Sequence, residues 1–267
     1  MLKAVIFDWA GTIVDHGSRA PMGAFVRAFE QFGVKLTIEQ ARGPMGMAKR
    51  DHIRLLLAEP SIAAAWQAKH GSAPDDAGID AVLGVFEPMN VASVTDHAEF
   101  IPGALETLAE LRRRGIRIGS TTGYTRPIMS VLAPIAEKAG FSPEIIVCAG
   151  DLPEGRPSPL MMWYAMAKMG VWPARTVVKV DDTPPGIGEG RNAGTWTVGL
   201  ALTGNIAGLS AEELAALAEA DRNAIRARAT NEMKNAGADF VIDSVADLPM
   251  VLDEIEARLA RGDSSGR

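Results

Sequence analysis

Residues 3–12 read KAVIFDWAGT, a short apolar run that ends abruptly on a carboxylate, Asp8. A β-branched run without polar alternation reads as a strand buried on both faces, as in parallel sheets. Similar runs recur at residues 116–120 (IRIGS), 145–148 (IIVC), 176–180 (TVVKV) and 195–200 (TWTVGL), with a weaker one at Phe240–Ile242. Helical patterns lie between and after them, at residues 103–114, 126–139, 159–169, 187–193, 210–235 and 245–259. Strands alternating with helices predict an α/β fold built on a doubly wound, Rossmann-like parallel sheet.

The alternation fails once. Between Asp15 and Asp96 no strand pattern is found, and residues 20–32, 46–57, 61–70 and 75–92 all read as helices. That is too much chain for an ordinary crossover. It predicts an all-helical cap domain, residues 16–96, inserted after the first strand of a core formed by residues 1–15 and 97–267. The 267 residues suit one or two domains.

Hydrophobic residues make up 47% and charged residues 22%, as in an ordinary soluble protein. The net charge of −6 argues against nucleic acid or an anionic membrane as partner, so an anionic ligand must be held by a small local basic site. One cysteine, Cys148, excludes an internal disulfide and a cysteine-based zinc cluster, and four histidines lack ligand spacing. No apolar run reaches about 18 residues, and the start lacks a basic, cleavable leader, so a cytoplasmic location is expected. Trp66, Trp163, Trp172 and Trp196 read as packing residues.

Ligands of open parallel sheets bind beyond the carboxyl ends of the strands. The residues there are Asp8, Thr122, Asp151 and the pair Asp181-Asp182. Any one such Asp has an alternative reading as a helix cap. Together, clustered carboxylates with few histidines suit a hard cation, Mg²⁺. Lys49 and His52 are three apart and share a helix face, and Gly46 permits a close approach to the backbone.

Asp8 in DWAGT, Thr122, Arg156 and Asp182 occur in the order that marks the haloacid dehalogenase-like superfamily, which the whole chain resembles. The resemblance implies that Asp8 is a nucleophile and that the insertion is a cap. It also exposes a departure. Superfamily phosphatases carry an acid two residues after the nucleophile, where this chain has Ala10, and losing general acid catalysis costs roughly 10²–10⁴-fold. The stretches PMGMAKRDH (44–52), STTGY (120–124), GRPSP (155–159) and EGRNAGTWTVG (189–199) closely resemble the phosphonatase family, which cleaves the C–P bond of phosphonoacetaldehyde.

That resemblance implies Schiff-base formation by Lys49 and an Asp8 aspartyl-phosphate. It implies substrate-binding or assisting roles for Thr122, Gly123, Tyr124, Arg156, Met45, Gly46 and His52. Mg²⁺ would be held by Asp8, the Ala10 carbonyl and Asp182. Ser18 stands where some members carry Cys, and Gly186 where some carry a second acid. A homodimer through the cap helices is also implied, with Phe25 and Phe29 of the first helix fitting either that interface or the core. The alternative is a phosphatase acting on another small phosphate ester, which would leave Lys49 without a task.

Overall fold

β1 (Ala4–Phe7) is buried along its whole length because it lies inside the sheet. β2 (Arg117–Thr122) pairs with it on one side, Phe7 opposite Ser120, and β4 (Val177–Asp181) on the other, Phe7 opposite Val180. β3 (Ile146–Cys148), β5 (Trp196–Leu200) and β6 (Phe240–Ile242) complete a parallel sheet of order β3-β2-β1-β4-β5-β6. Chain order reverses between β1 and β4, which opens a crevice beyond their carboxyl ends. The computed structural model that shows this describes residues 1–263 and 265; residues 264, 266 and 267 of the expected core segment lie outside the described residues.

Side chains alternate across the sheet, as strand geometry requires. Val5 and Phe7 join a core with α6 (Ala104–Arg113), α7 (Arg126–Ala139) and α12 (Leu248–Ala260). Ala4 and Ile6 face α8 (Leu160–Met169) and the end of α9 (Pro184–Ala193). The single helix expected over residues 210–235 is broken at Leu217 and Ala218, both extended, into α10 (Ala211–Ala216) and α11 (Glu219–Asn235). Arg222 of α11 donates to the Leu214 and Ala215 carbonyls, supplying donors at the end of α10.

Five helices lie between β1 and α6: α1 (Ala20–Gln31), α2 (Ile38–Arg42), α3 (Lys49–Ala58), α4 (Pro60–His70) and α5 (Asp76–Thr95). They enclose their own apolar cluster, including Phe25, Phe29, Ile53, Trp66 and Phe86. Phe25 stacks on Phe86 with ring centroids 4.1 Å apart. Phe25 and Phe29 are therefore core residues and are not available to a subunit interface. α2 was not expected from periodicity; its Thr37–Gln40 capping box sets its start. Trp66 and Trp196 are buried as expected, but Trp163 and Trp172 are exposed, Trp172 lying under the Lys3 ammonium and Trp163 donating to the Ala193 carbonyl. No described helix is long and apolar enough to cross a membrane.

Phe86→Ala leaves a large void between α1 and α5. It is expected to cost about 3–5 kcal/mol in urea unfolding; a loss below about 1 kcal/mol would contradict this packing.

Candidate active site

The turn after β1 carries Asp8 into the crevice, the end of β2 brings Thr122, and the end of β4 brings Asp181 and Asp182. Carboxylate oxygens of Asp8, Asp181 and Asp182, all buried, lie within 4.8 Å of one another. Their repulsion is offset by two buried cations. Arg156 donates from Nη2 to Asp8 Oδ1 at 2.8 Å, and its Nη1 lies 3.3 Å from Asp181 Oδ2 and its Nε 3.1 Å from Glu189 Oε2. Lys179 places Nζ 3.1 Å from Asp181 Oδ2 and 3.2 Å from Glu189 Oε2. Thr121 ties the two together, accepting from Lys179 at 2.7 Å and donating to Glu189 Oε2 at 2.8 Å.

The three carboxyls are not equivalent. Burial raises Asp8, and Arg156 only partly opposes it. Burial also acts on Asp181, but Arg156 and Lys179 more than offset it and hold that carboxyl below its ordinary value. Burial and then the charges of Asp181 and Asp8 push Asp182 well above the carboxylate range. Asp182 Oδ2 accepts the Asn205 amide at 2.7 Å, while Oδ1 is buried without a hydrogen-bond partner. With all four carboxyls ionised, Asp8, Asp181, Asp182 and Glu189 set against Arg156 and Lys179 leave two formal negative charges. That surplus, an orphaned carboxylate oxygen and an all-oxygen donor set fit a hard divalent cation. Asp8 and Asp182 both line the cavity, together with Ala10.

Gly186 stands beside Asp181 for a steric reason. A Cβ there would lie 2.0 Å from Asp181 Cγ, so the Asp181 carboxyl fills the space a side chain at position 186 would need.

Across the crevice stands the start of α3. Lys49 is 3% exposed, and among the described residues no carboxylate pairs with it. Its Nζ lies 3.9 Å from Met45 Sδ and 5.4 Å from the Tyr124 ring centre. Burial, with Arg156 adding to it and Asp8 opposing it, lowers the amine to about 8. Burial and neighbouring carboxylates push the Tyr124 phenol well above its ordinary value, so it stays protonated. The backbone before α3 meets the other side directly: a Cβ on Gly46 would lie 2.2 Å from Thr183 Oγ1.

A cavity of about 20 Å³ remains, lined by Asp8, Ala10, Ser18, Met45, Gly46, Lys49, Thr122, Gly123, Tyr124, Arg156 and Asp182 together with Pro21 and Thr183. It gathers nearly every residue expected at the site. His52 is the exception. It is buried behind Lys49, stacked on Phe25 at 4.0 Å with Nε2 bonded to the Ala41 carbonyl, and burial and Lys49 hold it neutral. Asp151, not expected at the site, caps its loop: it accepts the Cys148 amide and pairs with Arg126. Lys179, Glu189 and Thr121 went unassigned in the sequence. A lysine inside TVVKVD was the available signal, since a charge in a strand buried on both faces needs buried partners.

A family model for haloacid dehalogenase-like hydrolases matches residues 2–194. A phosphonoacetaldehyde hydrolase of Paraburkholderia phytofirmans is 56% identical over 262 residues, 98% of either chain. The chain belongs to the phosphonoacetaldehyde hydrolase family of haloacid dehalogenase-like hydrolases. A family member from Bordetella avium is 49% identical, with 97% of this chain and 92% of that one covered. The crystal structure of a phosphonoacetaldehyde hydrolase like protein from Oleispira antarctica superposes with a TM-score of 0.97 at 40% identity, covering 98% of this chain and 95% of that one. The family thus fixes the reaction class of this chain as hydrolysis.

Gly186→Ala tests the cluster. Alanine normally stabilises a helix relative to glycine by up to about 1 kcal/mol. Here the methyl group displaces Asp181 from Arg156 and Lys179, and breaking such a buried pair is expected to cost about 3 kcal/mol or more. Urea unfolding measures the sign, and a stabilised variant would contradict the arrangement.

Proposed function

We propose that the protein hydrolyses the C–P bond of phosphonoacetaldehyde, giving acetaldehyde and phosphate. The observation that carries this reading is a buried lysine amine, without a carboxylate ion-pair partner among the described residues, across a small cavity from a carboxylate cluster. The near-identity of the named relatives in length and their shared name support it. In this reading residues 16–96 act as a cap over the core formed by 1–15 and 97–267. The cavity as it stands holds about one water, so the cap and core must part to admit the aldehyde.

Lys49 Nζ, as the neutral amine, condenses with the aldehyde and releases water. The protonated imine is an electron sink. Arg156, with its planar fork, and Thr122 hold the phosphonate oxygens. Asp8 attacks phosphorus in line, the P–C bond breaks, and its electron pair enters the imine to give a neutral enamine on Lys49. No alkoxide leaves, so no acid is needed at Ala10. The enamine is protonated on carbon and hydrolysed, freeing acetaldehyde and Lys49. Water cleaves the aspartyl-phosphate and restores Asp8. Mg²⁺, held by Asp8, the Ala10 carbonyl and Asp182, would supply charge neutralisation at the phosphoryl oxygens. Asp181 acts indirectly, anchored by Lys179 and Arg156. Tyr124 and Met45 wall the amine, and neutral His52 supports it from behind. A cytoplasmic homodimer is part of this proposal, with Phe25 and Phe29 no part of the interface.

Lys49→Arg keeps a positive charge but cannot form an imine. Acetaldehyde release is expected to fall to background while the carboxylate cluster still takes up Mg²⁺; turnover at wild-type rate would contradict the reading. The neutral amine is the nucleophile, so kcat/KM should rise with pH through about 8 and fall about tenfold per pH unit below it. At pH 7 about one molecule in ten then carries the neutral form. An acid limb near 10 in the pH profile would contradict the lowered value. EDTA should abolish turnover and Mg²⁺ restore it.

A further inference from the structure

The segment from Thr203 to Leu209, after β5, touches three parts of the molecule at once. On the core side, the Asn205 amide donates to Asp182 Oδ2 at 2.7 Å, and Thr203 Oγ1 donates to the Gly11 carbonyl at 3.1 Å. On the connection leading out of the core, the Gly17 amide donates to the Thr203 carbonyl at 2.7 Å. His16 Nδ1 lies 2.8 Å from the Leu209 carbonyl. From the helical unit, Arg42 at the end of α2 reaches across. Its Nη1 donates to the Gly17 carbonyl at 2.9 Å, the Asn205 carbonyl at 3.1 Å and Asn205 Oδ1 at 3.0 Å, and its Nη2 donates to the Gly208 carbonyl at 3.1 Å. Asn205 Nδ2 returns a bond to the Arg42 carbonyl at 3.3 Å.

Arg42 thus spends its fork on backbone and amide oxygens, with no carboxylate among its hydrogen-bond partners in the described residues. A guanidinium used this way fixes geometry, because its planar donors dictate where several acceptors must lie. The residue it fixes, Asn205, is the one whose amide orients Asp182. Asp182 in turn has its other oxygen unpartnered. We infer that Arg42 and Asn205 are positioning residues that clasp the helical unit to the Thr203–Leu209 segment and so set the Asp182 carboxyl for cation binding. The cluster is then fully formed only when the helical unit is seated. This rests on the proposed role of Asp182 as a cation ligand.

The test is Mn²⁺ uptake by the full-length protein without substrate, followed by EPR of the free ion. Arg42→Ala and Arg42→Lys are both expected to weaken binding roughly tenfold, as loss of groups that orient a ligand does. Asn205→Ala keeps the backbone amide but loses the clasp, and should weaken binding similarly. The double variant should be no weaker than the weaker single one, since both act through one contact. Asn205→Ala carries the test if an Arg42 variant fails to fold. Asp182→Asn should lose binding altogether. Unchanged Mn²⁺ affinity in the folded clasp variants, with binding lost in Asp182→Asn, overturns the clasp alone, as does full additivity in the double variant. Binding unchanged in Asp182→Asn overturns the cation site itself and the clasp with it.

Discussion

Three buried carboxylates within 4.8 Å of one another repel strongly, and much of the molecule is arranged around that repulsion. Arg156 and Lys179 neutralise part of it, Glu189 and Thr121 hold those cations in place, and Gly186 leaves room for the Asp181 carboxyl. A parallel sheet delivers this cluster because every strand points its carboxyl end to the same edge, and the reversal of order beside β1 leaves that edge uncovered. The two formal charges left over when every carboxyl is ionised are what a divalent cation would answer.

The second constraint comes from the opposite wall. A lysine amine reacts only when neutral, and water would keep it charged. The helices between β1 and α6 bring Lys49 into a dry setting of Met45, Phe25 and Tyr124 without offering it an anion. A directly paired carboxylate would have held the proton on more firmly. Here burial outweighs the pull of Asp8, and Arg156 adds to the loosening. The close seat of Gly46 on Thr183 keeps this wall against the cluster, and so the small cavity and the low amine value have one cause.

Much of this was legible in the sequence because the signals are local. A run such as KAVIF ending on Asp8 announces a buried strand and the carboxylate at its end together. The long helical interruption announces a separate unit. Asp8, Thr122, Arg156, Asp182 and Lys49, named from spacing and resemblance, all line one cavity. Asp151 stands at a strand end, but it reads as a loop cap, and it does accept the Cys148 amide while pairing with Arg126. What stayed hidden depends on contacts far apart in the chain. Lys179 sits in a strand covered on both faces, but its partners, Asp181, Glu189 and Thr121, become visible only in the fold. His52 shares a helix face with Lys49, yet Phe25 and the Ala41 carbonyl claim its ring. Trp163 and Trp172 followed the general habit of tryptophan into the expected core, but their positions face outward. The break at Leu217 has no local glycine or proline to mark it.

The central claim is that Lys49 bonds covalently to an aldehyde while Asp8 takes the phosphoryl group. Borohydride added during turnover of phosphonoacetaldehyde tests it most directly, read by peptide mass spectrometry. The account predicts irreversible inactivation and an ethyl group on Lys49 Nζ, left by reduction of the imine of acetaldehyde. Continued acetaldehyde release in borohydride, with an unmodified Lys49, would contradict it.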